Sequence, residues 1–168
     1  NSYTPVPSNA VWSNDGKLVA GIGKKIIITD RVTGKTVKTL PLPAGIEADG
    51  EFFFFNYDNK KLIYSQKLKG SIGALDIATG TAANLVTLGS SYNECTASFD
   101  GKYFACLTYV GGVDHLKVHN LQTKQTVLSK TSCNASNPDA CLMHIKFLND
   151  SYYLFAEEQK NNVSIYNA

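Results

Sequence analysis

The stretch of sequence that decides the fold is Ile26-Ile27-Ile28-Thr29-Asp30-Arg31-Val32-Thr33-Gly34-Lys35. It begins with a run of β-branched residues, which favour a strand, and this run ends at Asp30. Gly34 follows where a turn needs a residue that tolerates positive φ, and Asp and Thr side chains can hydrogen-bond a turn backbone. The sequence therefore predicts a strand followed by a tight turn. The same arrangement recurs in Leu75-Asp76-Ile77-Ala78-Thr79-Gly80.

This unit is repeated along the whole chain. The strand runs end 46, 44 and 47 residues apart, at Asp30, Asp76, Asn120 and Asn167. Each run is preceded by a turn pair: Asp15-Gly16, Asp58-Asn59, Asp100-Gly101 and Asn149-Asp150. A period of this length is typical of repeats that each form a four-stranded blade. The sequence therefore predicts an all-β fold, a β-propeller of about four four-stranded antiparallel blades that is either complete or part of a larger propeller.

We expect a single repeat domain over residues 1–168. Its blades cover approximately residues 9–41, 50–88, 93–131 and 142–168. The fourth unit lacks an outer strand, and an unpaired strand edge invites aggregation. We expect this edge to be completed by the segment from Tyr3 to Val6, by another copy of the chain, or by the rest of a longer protein.

The repeat resembles two known families of propeller repeat. The segment from Ile26 to Lys35 resembles the end of a WD-repeat blade, although no unit has a Gly-His pair and Thr29 stands where the signature Trp would lie. The combination of Asp-Gly-Lys, a β run and Asp-x-x-Thr-Gly-Lys is similar to YVTN-type repeats. The resemblance implies a propeller fold, and YVTN-type repeats are common in exported and cell-surface bacterial proteins.

The charge and hydropathy of the chain favour neither nucleic acid nor a membrane as a partner. The net charge is +2 and there is no block of consecutive basic residues, so nucleic acid and anionic membranes are not predicted partners. No apolar segment approaches the roughly 18 residues of a membrane span. The aromatic run from Phe52 to Phe55 has the length of a buried strand.

The four cysteines form two local pairs. If Asp100-Gly101 is a two-residue turn, residues whose numbers add up to 201 face each other, and Cys95 and Cys106 meet this condition. Cys133 and Cys141 bracket a polar insertion that a second disulfide would close. The alternative is four reduced thiols. Disulfides would place the protein outside the cytoplasm, as a secreted, periplasmic or cell-surface protein, whereas reduced thiols would favour the cytoplasm.

The histidines do not form a predicted metal site. Cys141 and His144 are three residues apart, so on one strand they would point to opposite faces, and no fourth ligand accompanies them and Cys133. His115, Lys117 and His119 alternate with apolar residues, which predicts one solvated face of a strand whose other face is buried. No metal ligand is predicted.

The sequence contains none of the local signatures of catalysis. There is no Gly-x-Ser-x-Gly nucleophile motif and no glycine-rich phosphate loop, and most acidic residues lie at turn positions. No catalytic residue and no cofactor is predicted, and the chain is not expected to act as an enzyme by itself.

Binding is therefore the predicted function. In a propeller, the loops that join the second to the third strand of each blade, and each blade to the next, gather on one face, which we call the loop face. The candidate binding residues on this face are Lys25, Lys67, Lys69, Tyr109, Asp114, His115 and Glu157.

Three functions follow from this architecture. The first is a non-catalytic module for protein–protein interaction through the loop face. The second, suggested by resemblance, is a propeller part or subunit of an enzyme such as a periplasmic dehydrogenase or a serine peptidase. The third is a surface or structural protein that assembles with further copies of itself through the open edge of the last blade.

Overall fold

A computed structural model of the chain describes residues 9–47, 52–66, 69–89, 92–111, 113–131, 142–148, 152–157 and 162–167. This part of the chain has no helix that is long and apolar enough to cross a membrane. Its strands are β1 (Asn9–Trp12), β2 (Leu18–Ile22), β3 (Lys25–Asp30), β4 (Thr36–Pro41), β5 (Phe53–Phe55), β6 (Lys61–Gln66), β7 (Ser71–Asp76), β8 (Ala82–Thr87), β9 (Tyr92–Ala97), β10 (Tyr103–Val110), β11 (Val113–Asn120), β12 (Gln125–Thr131), β13 (Leu142–Phe147), β14 (Tyr152–Glu157) and β15 (Asn162–Asn167).

These strands form four antiparallel sheets, and within each sheet the strands are neighbours in chain order. Blade 1 consists of β1–β4, blade 2 of β5–β8 and blade 3 of β9–β12. Blade 4 has three described strands, β13–β15. Each sheet is thus a meander in which every strand pairs with the next, as the repeat predicts.

The blades pack face to face in chain order. An apolar cluster lies between each blade and the next, and it contains side chains of both. Burial of these side chains is the main force that holds neighbouring blades together. This arrangement of four-stranded meanders confirms the predicted β-propeller. Representative buried residues are Ile28 and Leu62 between blades 1 and 2, Ile72 and Phe104 between blades 2 and 3, and Leu116 and Phe147 between blades 3 and 4.

The turns between the third and fourth strands are held by their own side chains. The Asp30 carboxylate accepts hydrogen bonds from the Thr33 backbone N–H at 2.7 Å and from its hydroxyl at 2.8 Å. These bonds stabilise the ionised carboxylate and lower the pKa of Asp30. Asp76 and Thr79 repeat the arrangement in blade 2. The prediction that these residues stabilise turns is confirmed.

The turns between the first and second strands are longer than expected. Ser98 and Tyr103 close the turn of blade 3, because the Ser98 N–H donates to the Tyr103 carbonyl at 3.1 Å. Four residues therefore lie between the paired strands, so the expected two-residue turn at Asp100-Gly101 is wrong. The extra residues are added symmetrically, so they leave the strand register unchanged.

A disulfide joins β9 to β10. Cys95 lies opposite Cys106 in the register, their Cα atoms are 4.2 Å apart, and the two residues form a disulfide. Cys106 is completely buried between blades 2 and 3. This prediction is confirmed, whereas Cys133 and Cys141 lie outside the described residues.

Blades 1 and 4 each expose a large apolar side chain on the face that points away from the other blades. Trp12 is 58% exposed on the face of blade 1 that points away from blade 2, with the Arg31 guanidinium 5.5 Å from its ring centroid. In blade 4, Tyr166 packs towards blade 3, while Ile165, on the opposite face of β15, is 62% exposed. Neither face is covered by another blade in the described part of the chain.

Candidate functional site

The loop face brings together the two kinds of loop that the sequence predicts there. Gly45 belongs to the connection between blades 1 and 2, and Lys69 belongs to the turn between β6 and β7. A Cβ atom at Gly45 would lie 3.4 Å from the Lys69 Nζ. The blade connection and the turn are therefore neighbours on one face.

The predicted binding residues differ in what the structure describes of them. Lys25 and Lys69 are exposed. Tyr109 is paired with Asp114 in the β10–β11 hairpin, and Glu157 ends β14, but the side chains of Tyr109 and Glu157 lie outside the described part of the structure. Lys67 also lies outside the described residues.

Asp114 and His115 lie near the end of the same hairpin. Asp114 is only 9% exposed, and burial raises the pKa of its carboxyl above the usual value for Asp. His115 is half-buried, and its Nδ1 lies 3.4 Å from the Thr131 hydroxyl. Of the described candidate residues, the two lysines are therefore the more accessible to a partner.

The expected solvated face of β11 is wrong at His119. This side chain is 3% exposed, its Nδ1 lies 3.1 Å from the Thr126 hydroxyl, and burial lowers the pKa of His119 to about 4. The physical reason is that a propeller blade is packed on both faces. The apolar face of β11 contacts blade 4, and the face that carries His119 points towards blade 2.

A groove lies on the face opposite the loop face, which we call the turn face because it carries the turns between the first and second strands and between the third and fourth strands of each blade. It has a volume of about 490 Å³ and lies between blade 2, from the β5–β6 turn to β8, and the turn between β11 and β12 of blade 3. Its volume lies within the range of small-molecule pockets. The residues that line it are Asn56, Tyr57, Asp58, Lys61, Ile63, Ala74, Asp76, Thr79, Thr81, Ala83, Asn84, Leu85, Leu121, Gln122 and Lys124.

The groove has an apolar floor and a polar rim. Ile63, Ala74 and Leu121 are buried, and Tyr57, at the rim, is 41% exposed. The sequence reasoning missed this groove because its shape depends on side-chain volumes in two different blades. One signal was present, since Lys124 occupies a turn position that is glycine in the first two units.

Four of the described aspartates have their hydrogen bonds within their own turns. Among the residues that the structure describes, no three His, Cys, Asp or Glu side chains are placed to hold a metal ion together. Asp15, Asp30, Asp76 and Asp100 each accept hydrogen bonds within their own turn. Their carboxylates therefore stabilise turns.

The comparisons with known proteins support the fold alone. No protein-family model and no curated protein sequence matches the chain. The solved structures that resemble it include the β-propeller domain of Cps50 (Swd1) from Myceliophteria thermophila, with a TM-score of 0.63 and 11% identity. They also include hydrazine synthase from Kuenenia stuttgartiensis, with a TM-score of 0.61 and 13% identity, and TolB from Acinetobacter baumannii, with a TM-score of 0.64 and 20% identity.

These similarities extend over nearly the whole chain. They cover 96%, 96% and 99% of it, but 53%, 51% and 42% of the respective solved chains. The chain thus spans about half the length of the proteins it resembles. At this level of identity the likeness identifies a β-propeller fold, and it carries no activity or partner with it.

Proposed function

We propose that this chain is a non-catalytic propeller segment that binds another protein through its loop face. The observation that carries the proposal is the exposure of Lys25 and Lys69 on that face, with Lys69 beside the blade connection at Gly45. Neither lysine has an ion pair within the described residues. Loops on a rigid β scaffold are a common place for binding residues.

The charge of this face defines the chemistry of the partner. The exposed charged residues in the described parts of its first three loops are Lys24, Lys25, Glu47 and Lys69. Lysines outnumber acidic residues in these described parts of the loops, so the complementary surface that we propose is acidic. Such an interface associates faster at low ionic strength, because exposed charges steer the encounter and salt screens them.

A charge-reversal experiment tests the proposal. The immobilised chain captures partners from an extract of the cells that make it, alongside a Lys25→Glu/Lys69→Glu variant. A Lys35→Glu/Lys60→Glu variant, which changes two exposed lysines on the turn face, is the matched control. We expect the wild type and the control to retain the same protein and the loop-face variant to lose it. Equal retention by all three would exclude binding through this face.

We also propose that the protein works outside the cytoplasm. The Cys95–Cys106 disulfide supports this location, because cytosolic thiols are generally kept reduced. The resemblance to YVTN-type repeats supports the same conclusion. Alkylation of the protein in intact cells, before any reduction, provides the test. Labelled Cys95 and Cys106 would place the chain in a reducing compartment.

Self-association is a second candidate function, and specific observations favour it. β15 pairs with one neighbour among the described strands. Ile165 is exposed on the face of blade 4 that points away from blade 3, and Trp12 is exposed on the face of blade 1 that points away from blade 2. Native mass spectrometry over a range of concentrations would detect dimers or larger species. We expect Ile165→Lys to reduce them and Val32→Lys, at an exposed turn, to leave them unchanged; a wild type that stays monomeric throughout contradicts this candidate.

A further inference from the structure

Lys124 departs from the structural repeat at the groove on the turn face. In blades 1 and 2 the equivalent turn positions are Gly34 and Gly80, with φ of 68° and 75°. Lys124 has the same left-handed backbone, with φ of 60°. This conformation is unfavourable for a residue with a Cβ atom, so the lysine is kept at a cost in stability.

A second non-glycine residue with positive φ has a structural explanation. Asn59, with φ of 58°, stands where blades 1 and 3 have Gly16 and Gly101. Its side-chain oxygen accepts a hydrogen bond from the Asn14 N–H at 2.9 Å and so ties blade 2 to blade 1. Lys124 has no such role, because its ammonium group makes no hydrogen bond or ion pair within the described part of the chain.

The groove exists because blade 2 has small residues where blade 1 has large ones. In blade 1, Ile28 is paired with Lys38, whose Nζ donates a hydrogen bond to the Ala78 carbonyl of blade 2 at 2.9 Å. In blade 2 the corresponding pair is Ala74 and Ala83. The space that blade 1 fills at its boundary with blade 2 is therefore open between blades 2 and 3.

We propose that this groove binds a small organic anion with an apolar body, whose carboxylate or similar group pairs with the Lys124 ammonium. The buried floor of Ile63, Ala74 and Leu121 contacts the apolar body. The exposed ring of Tyr57 at the rim provides a surface on which an aromatic ligand packs.

Neither Asp58 nor Asp76, the carboxylates that line the groove, forms an ion pair with Lys124. Asp76 accepts hydrogen bonds from the N–H and hydroxyl of Thr79 at 2.9 and 3.0 Å, and Lys61 contributes a favourable charge to it. Asp58 accepts from the Lys60 N–H at 3.0 Å. Because Lys61 lies beside Asp76, Lys124 is the lysine of the groove to which the described part of the chain offers no acidic partner.

The test uses phenylacetate as the probe and phenethylamine, a cation with the same aromatic ring, as its counterpart. Each is titrated at constant ionic strength into ¹⁵N-labelled protein, and amide shifts are followed. For phenylacetate we expect saturable shifts at Tyr57 and Leu121, with much weaker effects of phenethylamine. Absence of these shifts, or equal shifts with both probes, would overturn the proposal.

Two variants copied from blade 1 separate a binding role from a structural one. Lys124→Gly should weaken phenylacetate binding about tenfold or more by removing a charge-assisted contact, while raising the melting temperature by about 2–4 °C through relief of backbone strain. Ala83→Lys should occupy the groove as Lys38 does in blade 1 and abolish the shifts. Lys35→Gly removes a lysine from the equivalent turn region of blade 1 and should leave binding unchanged. Unaltered affinity in Lys124→Gly would refute the site.

Discussion

Gly101 lies against the backbone of Phe55 so closely that a Cβ atom at Gly101 would be 2.5 Å from the Phe55 carbonyl oxygen. The turn of blade 3 thus contacts the end of the first strand of blade 2. Gly101 also has a positive φ of 68°. Two independent constraints, backbone conformation and the contact between blades, therefore require glycine here.

We predict that Gly101→Ala destabilises the protein by about 3 kcal/mol or more, because the methyl group would force two backbones apart. Gly34→Ala is the matched control, since Gly34 has the same φ of 68° but nothing lies within 4 Å of its Cβ position. It should cost about 1 kcal/mol, the backbone penalty alone. Urea unfolding followed by circular dichroism gives both values. Equal losses would mean that the contact between blades has no energetic effect.

Reduction of the Cys95–Cys106 disulfide should lower the free energy of unfolding by about 3 kcal/mol. The two residues are 11 positions apart, and a loop of this size gives that value when its closure restricts the unfolded chain. The measurement compares urea midpoints with and without reductant. A Cys95→Ala/Cys106→Ala variant is the control, because its midpoint should not respond to the reductant. A wild-type midpoint that is equally insensitive would contradict the prediction.

His119 should make the protein less stable in mild acid. Its folded-state pKa is about 4, below the 6.5 of an unperturbed histidine, so the unfolded state binds more protons between these values. Stability is fully present above pH 6.5 and falls as the pH decreases to about 4, by on the order of 3 kcal/mol. We expect His119→Gln to flatten this part of the profile of unfolding free energy against pH.

The other groups with shifted pKa values change the free energy of unfolding in a different direction, or in a different pH range, from His119. Hydrogen bonds within the turns lower the pKa values of Asp30 and Asp76, so their contributions are lost only as the pH falls below about 3.8. Burial raises the pKa of Asp114, which makes stability fall as the pH rises. The difference between the wild type and His119→Gln therefore isolates the histidine. No difference between pH 4 and 6.5 would mean that His119 accepts a proton freely in the folded protein.

Asn14 should link the turns between the first and second strands of blades 1, 2 and 3. Its Nδ2 donates to the carbonyl of Asn56 at 2.9 Å and to that of Asp100 at 3.2 Å. We predict that Asn14→Ala lowers the free energy of unfolding by about 1–2 kcal/mol. Lys17→Ala, at an exposed position after the same turn, should change it by less than about 0.5 kcal/mol. A similar effect of the two substitutions would show that the contacts of Asn14 contribute little.

The local features of the fold could be predicted from the sequence because they depend on neighbouring residues. Asp30 and Thr33 identify a turn, and the position of Asp100-Gly101 relative to Cys95 and Cys106 predicts the register and the disulfide. The predicted register is correct although this turn has four residues rather than two, because the two additional residues are divided equally between the two strands.

The remaining features depend on side-chain contacts between neighbouring blades, which the sequence of a single repeat does not reveal. The alternation around His119 is identical for a solvated face and for a face that packs on a second blade. The groove depends on Ala74 and Ala83 in blade 2 and on Lys124 in blade 3. Comparison of the repeats position by position could have identified Lys124, because glycine occupies the equivalent position in blades 1 and 2.

The uncovered face of blade 1 also has a spectroscopic consequence. Trp12 is the one tryptophan of the chain, and it lies on this exposed face rather than in any of the three apolar clusters. Its indole emission therefore responds weakly to unfolding of the apolar clusters and strongly to any molecule that covers this face of blade 1. A blue shift of that emission would report contact with a partner or a second copy in a protein that needs no added label.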